Sequence, residues 1–362
     1  MLSQKEQARY QRQLILPEIG VPGQLKLQAA KVLVIGAGGL GCPVLQYLAA
    51  AGVGTLGIVD GDVVEESNLQ RQILYTSADV SKPKAVVAKA RIEQLNPFVT
   101  IEAHTVFISS DNALEIIKPY DIVVDGSDNF ATRYMVNDAC VMLNKPLVFG
   151  SIYKFEGQVA VFNYNDGPTY RCLFPEAPNV DEVPNCATIG VVASLPGIIG
   201  TIQANEVIKI ITQHGEVLSG KLWVMDVATM QTQVLQFSKN PSNKNITHLR
   251  QQSAVCSSKG EAISFTRLKE VLENSIVQLV DVREKEEHKI RNIGGLNIPL
   301  STFKDNFQQM DPKITTVLYC AAGVRSRTAM ELLVNNGFKE VYSLENGISG
   351  INTTANPLFD DV

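Results

Sequence analysis

Residues 31–62 read KVLVIGAGGLGCPVLQYLAAAGVGTLGIVDGD. Val32 to Ile35 form an unbroken apolar run, the pattern of a parallel strand covered on both faces. Gly36, Gly38, Gly39 and Gly41 follow, where missing side chains let backbone N–H groups approach phosphate at the start of a helix. That helix carries Leu45, Leu48 and Ala49 at helical spacing, and Gly52 and Gly54 mark its end. A second strand, Leu56 to Val59, ends in Asp60, a carboxylate 24 residues beyond Gly36 and suited to a ribose hydroxyl. The stretch predicts a strand–turn–helix–strand unit that binds a nucleotide, and so an α/β fold. The P-loop signature is missing, which excludes a P-loop ATPase.

Downstream residues say which nucleotide. The segment VVEESNLQRQILYTSADVSKPKA supplies Asn68, Arg71 and Lys84 after the second strand. Another buried strand, Ile122 to Val124 in DIVVDGSDNFATRY, delivers Asp125 and Asp128 at its end. Ligands of open parallel sheets sit beyond the carboxyl ends of the strands, so these groups are expected to converge on the phosphates. Two cations and an acid able to hold magnesium suit phosphoryl or nucleotidyl transfer, which depends on charge neutralisation. Hydride transfer needs none of them.

The whole chain sets the frame. Its 362 residues suit two domains, and 45 % hydrophobic against 19 % charged residues supports a sizeable core. A net charge of −5 argues against a general nucleic-acid binder. The start, MLSQKEQARYQRQ, is polar, so no signal peptide is expected. The longest apolar stretch, IGVVASLPGIIGTIQANEVIKII, contains Pro196, Asn205 and Glu206 and reads as a buried helix beginning near Ile189, with no membrane span. Six scattered cysteines without a framework spacing read as reduced thiols, which places the chain in the cytoplasm.

RYQRQLILPEIG, GAGGLGCPVLQYLAAAGVG, VVEESNLQRQ, KPKA, DGSDN and VPNCATIGV together resemble the MoeB/ThiF-type adenylyltransferases of ubiquitin-like sulfur carriers, over residues 5–240. The resemblance implies a Rossmann-like, ubiquitin-activating-type domain with a mostly parallel sheet. It also implies ATP and magnesium, a carrier protein with a C-terminal Gly-Gly, and adenylylation of that terminal carboxylate with release of pyrophosphate. Matched motif by motif, Gly36 to Gly41 cradle phosphate, Asp60 holds the ribose, and Asn68, Arg71 and Lys84 face the triphosphate. Asp128 assists magnesium, and Arg12 matches an arginine that reaches the partner subunit's nucleotide, which implies a homodimer. Cys186, in the Pro-rich loop PEAPNVDEVPNCATIGV, matches the family's loop cysteine. Just before a helix, it is expected either to act as a nucleophile or to cap that helix.

Such enzymes usually carry a zinc on two CxxC pairs. Here Thr169 stands where the first cysteine would, Cys172 is alone, and Ser242 and Asn245 occupy the second pair's place. One thiolate cannot make a tetrahedral site, His248 and Cys256 lack ligand spacing, and no zinc is expected.

The polar residues 241–262 read as a linker, and a small α/β domain is expected over 263–352 with a tail at 353–362. YCAAGVRSRTA, residues 319–329, carries Cys320 from a strand through Ala321, Ala322, Gly323, Val324 and Arg325 into a helix. Such a loop can curl N–H groups around the sulfur, with Arg325 and the helix dipole favouring a thiolate or persulfide. With VDVRE, GGLNIPL and GFKEVYSLENGI, the loop resembles the rhodanese active site, and its four-residue spacing favours sulfur over the phosphate of related phosphatases. The two resemblances imply one enzyme. Its first domain adenylylates a carrier, and its Cys320 persulfide, charged by a cysteine desulfurase or other sulfane donor, converts the product to a thiocarboxylate for molybdopterin or thiamine synthesis. Two alternatives stay open at this point: a nicotinamide-dependent oxidoreductase with an appended rhodanese, and a non-catalytic carrier-binding scaffold.

Overall fold

Two helices, α1 (Gln4–Leu14) and α2 (Gly20–Ala29), lead into the first strand of the computed structural model, which describes residues 1–176, 190–249, 260–274, 276–338, 340–345 and 347–350. The chain then runs β1 (Lys31–Ile35), α3 (Gly41–Ala51), β2 (Thr55–Val59), α4 (Lys84–Leu95), β3 (Thr100–His104), α5 (Ala113–Ile117) and β4 (Ile122–Asp125). It continues through α6 (Phe130–Met142), β5 (Leu147–Tyr153), β6 (Glu156–Phe162), α7 (Tyr170–Leu173), α8 (Ser194–Thr212), β7 (Lys221–Asp226) and β8 (Gln231–Gln236). These strands form one sheet in the order β3-β2-β1-β4-β5-β6-β7-β8. Neighbours from β3 to β5 are parallel, and β6 to β8 are added antiparallel.

The continuous apolar run of β1 is explained by its two covered faces. Val32 and Val34 join Leu45, Leu48 and Ile92 in one core, while Leu33 and Ile35 join Ala113, Ile117 and Tyr134 in the other. Chain order reverses between β1 and β4, which opens the crevice where doubly wound sheets hold their ligands. Register makes the crevice level: Ile35 pairs with Val59 on one side and with Asp125 on the other. The residues after those three strand ends therefore start from one line.

The helix expected to begin near Ile189 starts later, at Ser194. Pro196 lacks an N–H and fits only the first turn of a helix, so it fixes the start close to itself. Among the described residues no helix is long and apolar enough to cross a membrane.

Contacts divide the chain into two compact units, Met1–Gln252 and Ser253–Val362. The second comprises β9 (Gly260–Ile263), α9 (Phe265–Asn274), β10 (Val277–Asp281), α10 (Lys285–Ile290), β11 (Leu296–Asn297), α11 (Phe303–Asn306), β12 (Thr315–Tyr319), α12 (Val324–Asn335) and β13 (Val341–Leu344). Its sheet is parallel throughout, in the order β11-β10-β12-β13-β9. The strand β9 begins inside the segment read as linker, because its backbone completes the sheet beside β13. Central β12 is buried from Thr316 to Tyr319 and ends directly at Cys320.

Candidate functional site

The first site is built around the turn from β1 to α3. Gly36 adopts φ +88°, and a Cβ there would lie 2.9 Å from the Gly126 carbonyl. A Cβ on Gly41 would lie 1.9 Å from the Gly36 carbonyl, so the helix can start this close only without a side chain. The turn is braced at Ala37. Its N–H donates to Asp60 Oδ2 at 2.7 Å, and its carbonyl accepts from the Tyr75 hydroxyl at 2.7 Å. Asp60 Oδ1 also accepts the Asp62 N–H at 2.8 Å. Burial pushes the Asp60 carboxyl above its ordinary value, against those backbone donors. Asp60 thus supports the turn, a task that spacing alone does not reveal.

Lys84 opens α4 with a side chain only 8 % exposed, and its Nζ lies 3.1 Å from Asp62 Oδ2. A cation at a helix N-terminus opposes the helix dipole, so its placement calls for an anion nearby. Arg71 donates to the Ser67 carbonyl at 3.1 Å, and its Cγ lies 3.7 Å from where a Cβ on Gly39 would be. Asn68 is buried, its Oδ1 accepting from the Glu65 N–H. Sequence reading missed Gln72, buried beside Gly38 with an Oε1 that has no partner, although it stands next to Arg71 in the same motif.

Beyond β4, buried Asp125 accepts the Ser127 N–H at 2.9 Å, while Arg133 of α6 donates to the Ser127 carbonyl at 3.1 Å. Burial pushes the Asp125 carboxyl up, and the Arg133 charge works against that shift. Asn129 caps α6 by accepting the Thr132 N–H at 2.8 Å. Exposed Asp128 therefore has a pinned neighbour on each side. The glycine turn, Asp60, Asn68, Arg71, Lys84 and the Asp125–Asp128 loop share one end of the sheet. Arg12 does not join them: it is exposed on α1 and lines a groove with Tyr47, Ala50 and Ala51, in the second half of α3. The glycine turn meets the opposite end of that helix, which spans about 16 Å.

The cysteines separate cleanly. Cys186, with residues 177–189 of its loop, and Cys256 lie outside the described residues. Burial pushes Cys42 up to about 12 and raises Cys140 as well, which suits inert core thiols. Cys172 is the lone cysteine of the first incomplete pair. Its sulfur accepts from the Thr169 N–H at 3.3 Å and the Asn240 N–H at 3.3 Å, and lies 3.4 Å from Thr169 Oγ1 and 3.6 Å from Asn243 Nδ2. Burial opposes ionisation, yet the hydrogen bonds from Thr169 and Asn240 outweigh it and hold the thiol below its ordinary value. The two segments that a metal would join are thereby joined through sulfur. Losing these bonds costs about 1–2 kcal/mol, so Cys172→Ala is expected to lower the melting temperature of the first unit by about 3–6 °C. Scanning calorimetry checks this, and an unchanged transition would show the contacts to be idle.

The second site is the loop from β12 to α12. Cys320 is 1 % exposed, and its sulfur receives the Gly323 N–H at 3.1 Å and the Ser326 hydroxyl at 3.5 Å. Gly323 adopts φ +86°, the left-handed turn that aims its N–H inward. The buried Ser343 hydroxyl donates to Ser326 at 2.9 Å, so a hydroxyl pair backs the sulfur. From behind, the Ile348 N–H donates to the Cys320 carbonyl and the Ser349 N–H to that of Ala321. Arg325, expected to support the thiolate, forms a two-pronged pair with Glu287 at 2.7 Å and 2.7 Å. Sequence reading missed Glu287, 38 residues away, because no local pattern signals so distant a partner. Ser326 was within reach of it, one helical turn past Gly323.

A ThiF family model matches residues 10–246, and a rhodanese-like domain model matches residues 264–354. The probable adenylyltransferase/sulfurtransferase MoeZ of Mycobacterium tuberculosis is 43 % identical over 365 residues, covering 96 % of this chain and 93 % of its own length. The sulfur carrier protein adenylyltransferase of Thermus thermophilus is 53 % identical over 244 residues, covering 66 % of this chain and 90 % of its own. Among solved structures, E. coli MccB with AMPCPP and MccA superposes with a TM-score of 0.58 at 25 % identity, covering 64 % of this chain and 72 % of that one.

Proposed function

The chain belongs to the ThiF family and carries a rhodanese-like domain behind the family's core, and from that premise we propose how its residues divide the work. The enzyme is an adenylyltransferase and sulfurtransferase: it adenylylates the C-terminal glycine of a sulfur carrier with ATP, then transfers sulfur from its rhodanese half. The observation that carries the division is the level ending of β1, β2 and β4, which supports a single nucleotide crevice in the first unit.

Backbone N–H groups from Gly36 to Gly41 receive phosphate, with Arg71 and Lys84 neutralising its charge and Asn68 donating to it. Asp60 takes the ribose while keeping its hold on Ala37. Asp128, an exposed carboxylate on a pinned backbone, fits a hard divalent cation, which takes oxygen ligands. Magnesium bound there would neutralise phosphate oxygens. Arg12 comes from a second copy of the chain, so the working unit is a homodimer.

The carrier carboxylate attacks the α-phosphorus, pyrophosphate leaves, and the acyl-adenylate forms. The outer sulfur of a Cys320 persulfide then attacks the acyl carbon and AMP leaves. A second thiol, for which Cys186 is the candidate, cleaves the resulting acyl disulfide, releasing the thiocarboxylate and leaving a disulfide for a thiol reductant to reopen. Because donor and activating site share a chain, their encounter is intramolecular. Free thiols suit a reducing compartment, the cytoplasm, where a cysteine desulfurase or other sulfane donor charges Cys320.

The test presents candidate carriers ending in Gly-Gly one at a time with magnesium and ATP. Pyrophosphate release and a carrier mass in which one oxygen has become sulfur are expected for the cognate carrier. ATP turnover that no carrier stimulates would refute the reading.

A further inference from the structure

Residues 320–326, CAAGVRS, contain a single charged side chain, Arg325. Its two terminal nitrogens each donate to one oxygen of Glu287, the fork-on-fork geometry that matches a guanidinium to a carboxylate. Glu287 is itself held in place: its Oε2 also accepts the Glu284 N–H at 3.1 Å, in the first turn of α10. The pairing holds the Glu287 carboxyl down to about 2, so it is a carboxylate throughout the working pH range. Arg283, the other guanidinium that Glu287 feels, directs its donors to Asp281 and to the Arg291 carbonyl. Arg327 lies two positions along α12 from Arg325, a spacing that puts it on another face of the helix. The rest of the loop's outer surface is apolar, with Ala322 exposed and Val324 52 % exposed.

A loop with these features presents a buried sulfur beside one loop cation, Arg325, that is already paired with Glu287. Two kinds of donor can charge such a thiolate. With thiosulfate, the Cys320 thiolate attacks the outer sulfur, the S–S bond breaks, and sulfite departs with the electron pair. With an alkyl persulfide, it attacks the terminal sulfur and the alkyl thiolate departs. In both cases Cys320 ends as a persulfide and no external oxidant is needed. The donors differ in charge: thiosulfate brings two negative charges into the loop and needs a cation there, whereas an alkyl persulfide brings one at most.

We propose that Glu287 is a donor-selecting residue, which by occupying Arg325 withholds the cation that a small dianionic sulfane donor needs and reserves the loop for alkyl persulfides such as that of a protein cysteine. The proposal rests on the reading of Cys320 as the sulfur carrier and adds which class of donor charges it. Glu287 acts through Arg325 and touches no reacting atom, so it is a positioning residue.

Glu287→Gln tests it. Glutamine keeps an oxygen for the Glu284 N–H, and partly exposed ion pairs contribute little to stability, so the chain folds. Sulfur transfer to cyanide is measured with thiosulfate and, separately, with the persulfide of N-acetylcysteine amide, whose only ionisable group is its terminal sulfur. In the Glu287→Gln chain, kcat/KM for thiosulfate is expected to rise about tenfold, chiefly through KM, and the gain to shrink as salt screens the charge. The alkyl persulfide, with at most half that charge, is expected to change by less than about threefold. Adding Arg325→Gln removes the gain, which identifies Arg325 as its source. Unchanged thiosulfate kinetics in a variant that still accepts the alkyl persulfide would overturn the proposal, as would equal changes with both donors, which would point to loop shape. A parent chain whose Cys320 is charged by neither donor would instead fail the underlying reading, and that result needs no variant.

Discussion

A Cys320→Ser chain is expected to keep carrier-dependent ATP–pyrophosphate exchange within about twofold of the parent, since the two reactions draw on independent sites. Its delivery of sulfur to the carrier is expected to fall by at least about a hundredfold, because an alcohol oxygen cannot store sulfane sulfur. The substitution is nearly isosteric at a position that is 1 % exposed. The Gly323 N–H and Ser326 hydroxyl that now serve the sulfur can donate equally well to oxygen. The loop should therefore keep its shape, and what is lost is chemistry. Exchange is followed with labelled pyrophosphate, and sulfur by the mass of the carrier's C-terminal peptide. Equal delivery by mutant and parent, without added sulfide, would remove Cys320 from the pathway.

Lys84→Met has the opposite signature. Pyrophosphate exchange is expected to fall about 10²–10³-fold, the usual cost of removing one preorganised charge from a water-poor site. Methionine fills nearly the same volume, so the buried end of α4 stays packed. The partner it abandons, Asp62, is 57 % exposed and returns to water at little cost. Loading of Cys320 with sulfur uses residues of the other unit and should stay within about twofold. An exchange rate preserved in a folded Lys84→Met chain would show that the ammonium serves only Asp62.

Much of this was legible from the chain itself. Two-sided apolar runs at Val32–Ile35 and Ile122–Val124 announce buried parallel strands, and glycines packed as tightly as Gly36 and Gly41 announce a turn with no room for side chains. The positions of Asp60, Lys84 and Asp128 beside the glycine turn were legible because strand ends and short motifs place them within a few residues. What escaped depends on tertiary contact. Glu287 meets Arg325 across 38 residues, and the Asn240 and Asn243 donors reach Cys172 from about 70 residues away. The start of α8 escaped for a local reason: a continuous apolar stretch does not show where helix begins, and Pro196 had to be weighed as a start signal.

The level strand ends carry a consequence for how such an enzyme can vary. The glycine turn, Asp60 and the loop after β4 descend from main-chain ladders, whose spacing is the same whatever side chains the strands bear. Surface loops are then free to drift toward new protein partners while that alignment stays put. A lineage could exchange one small client protein for another and keep its energetics intact, because recognition and activation are written in different parts of the polymer.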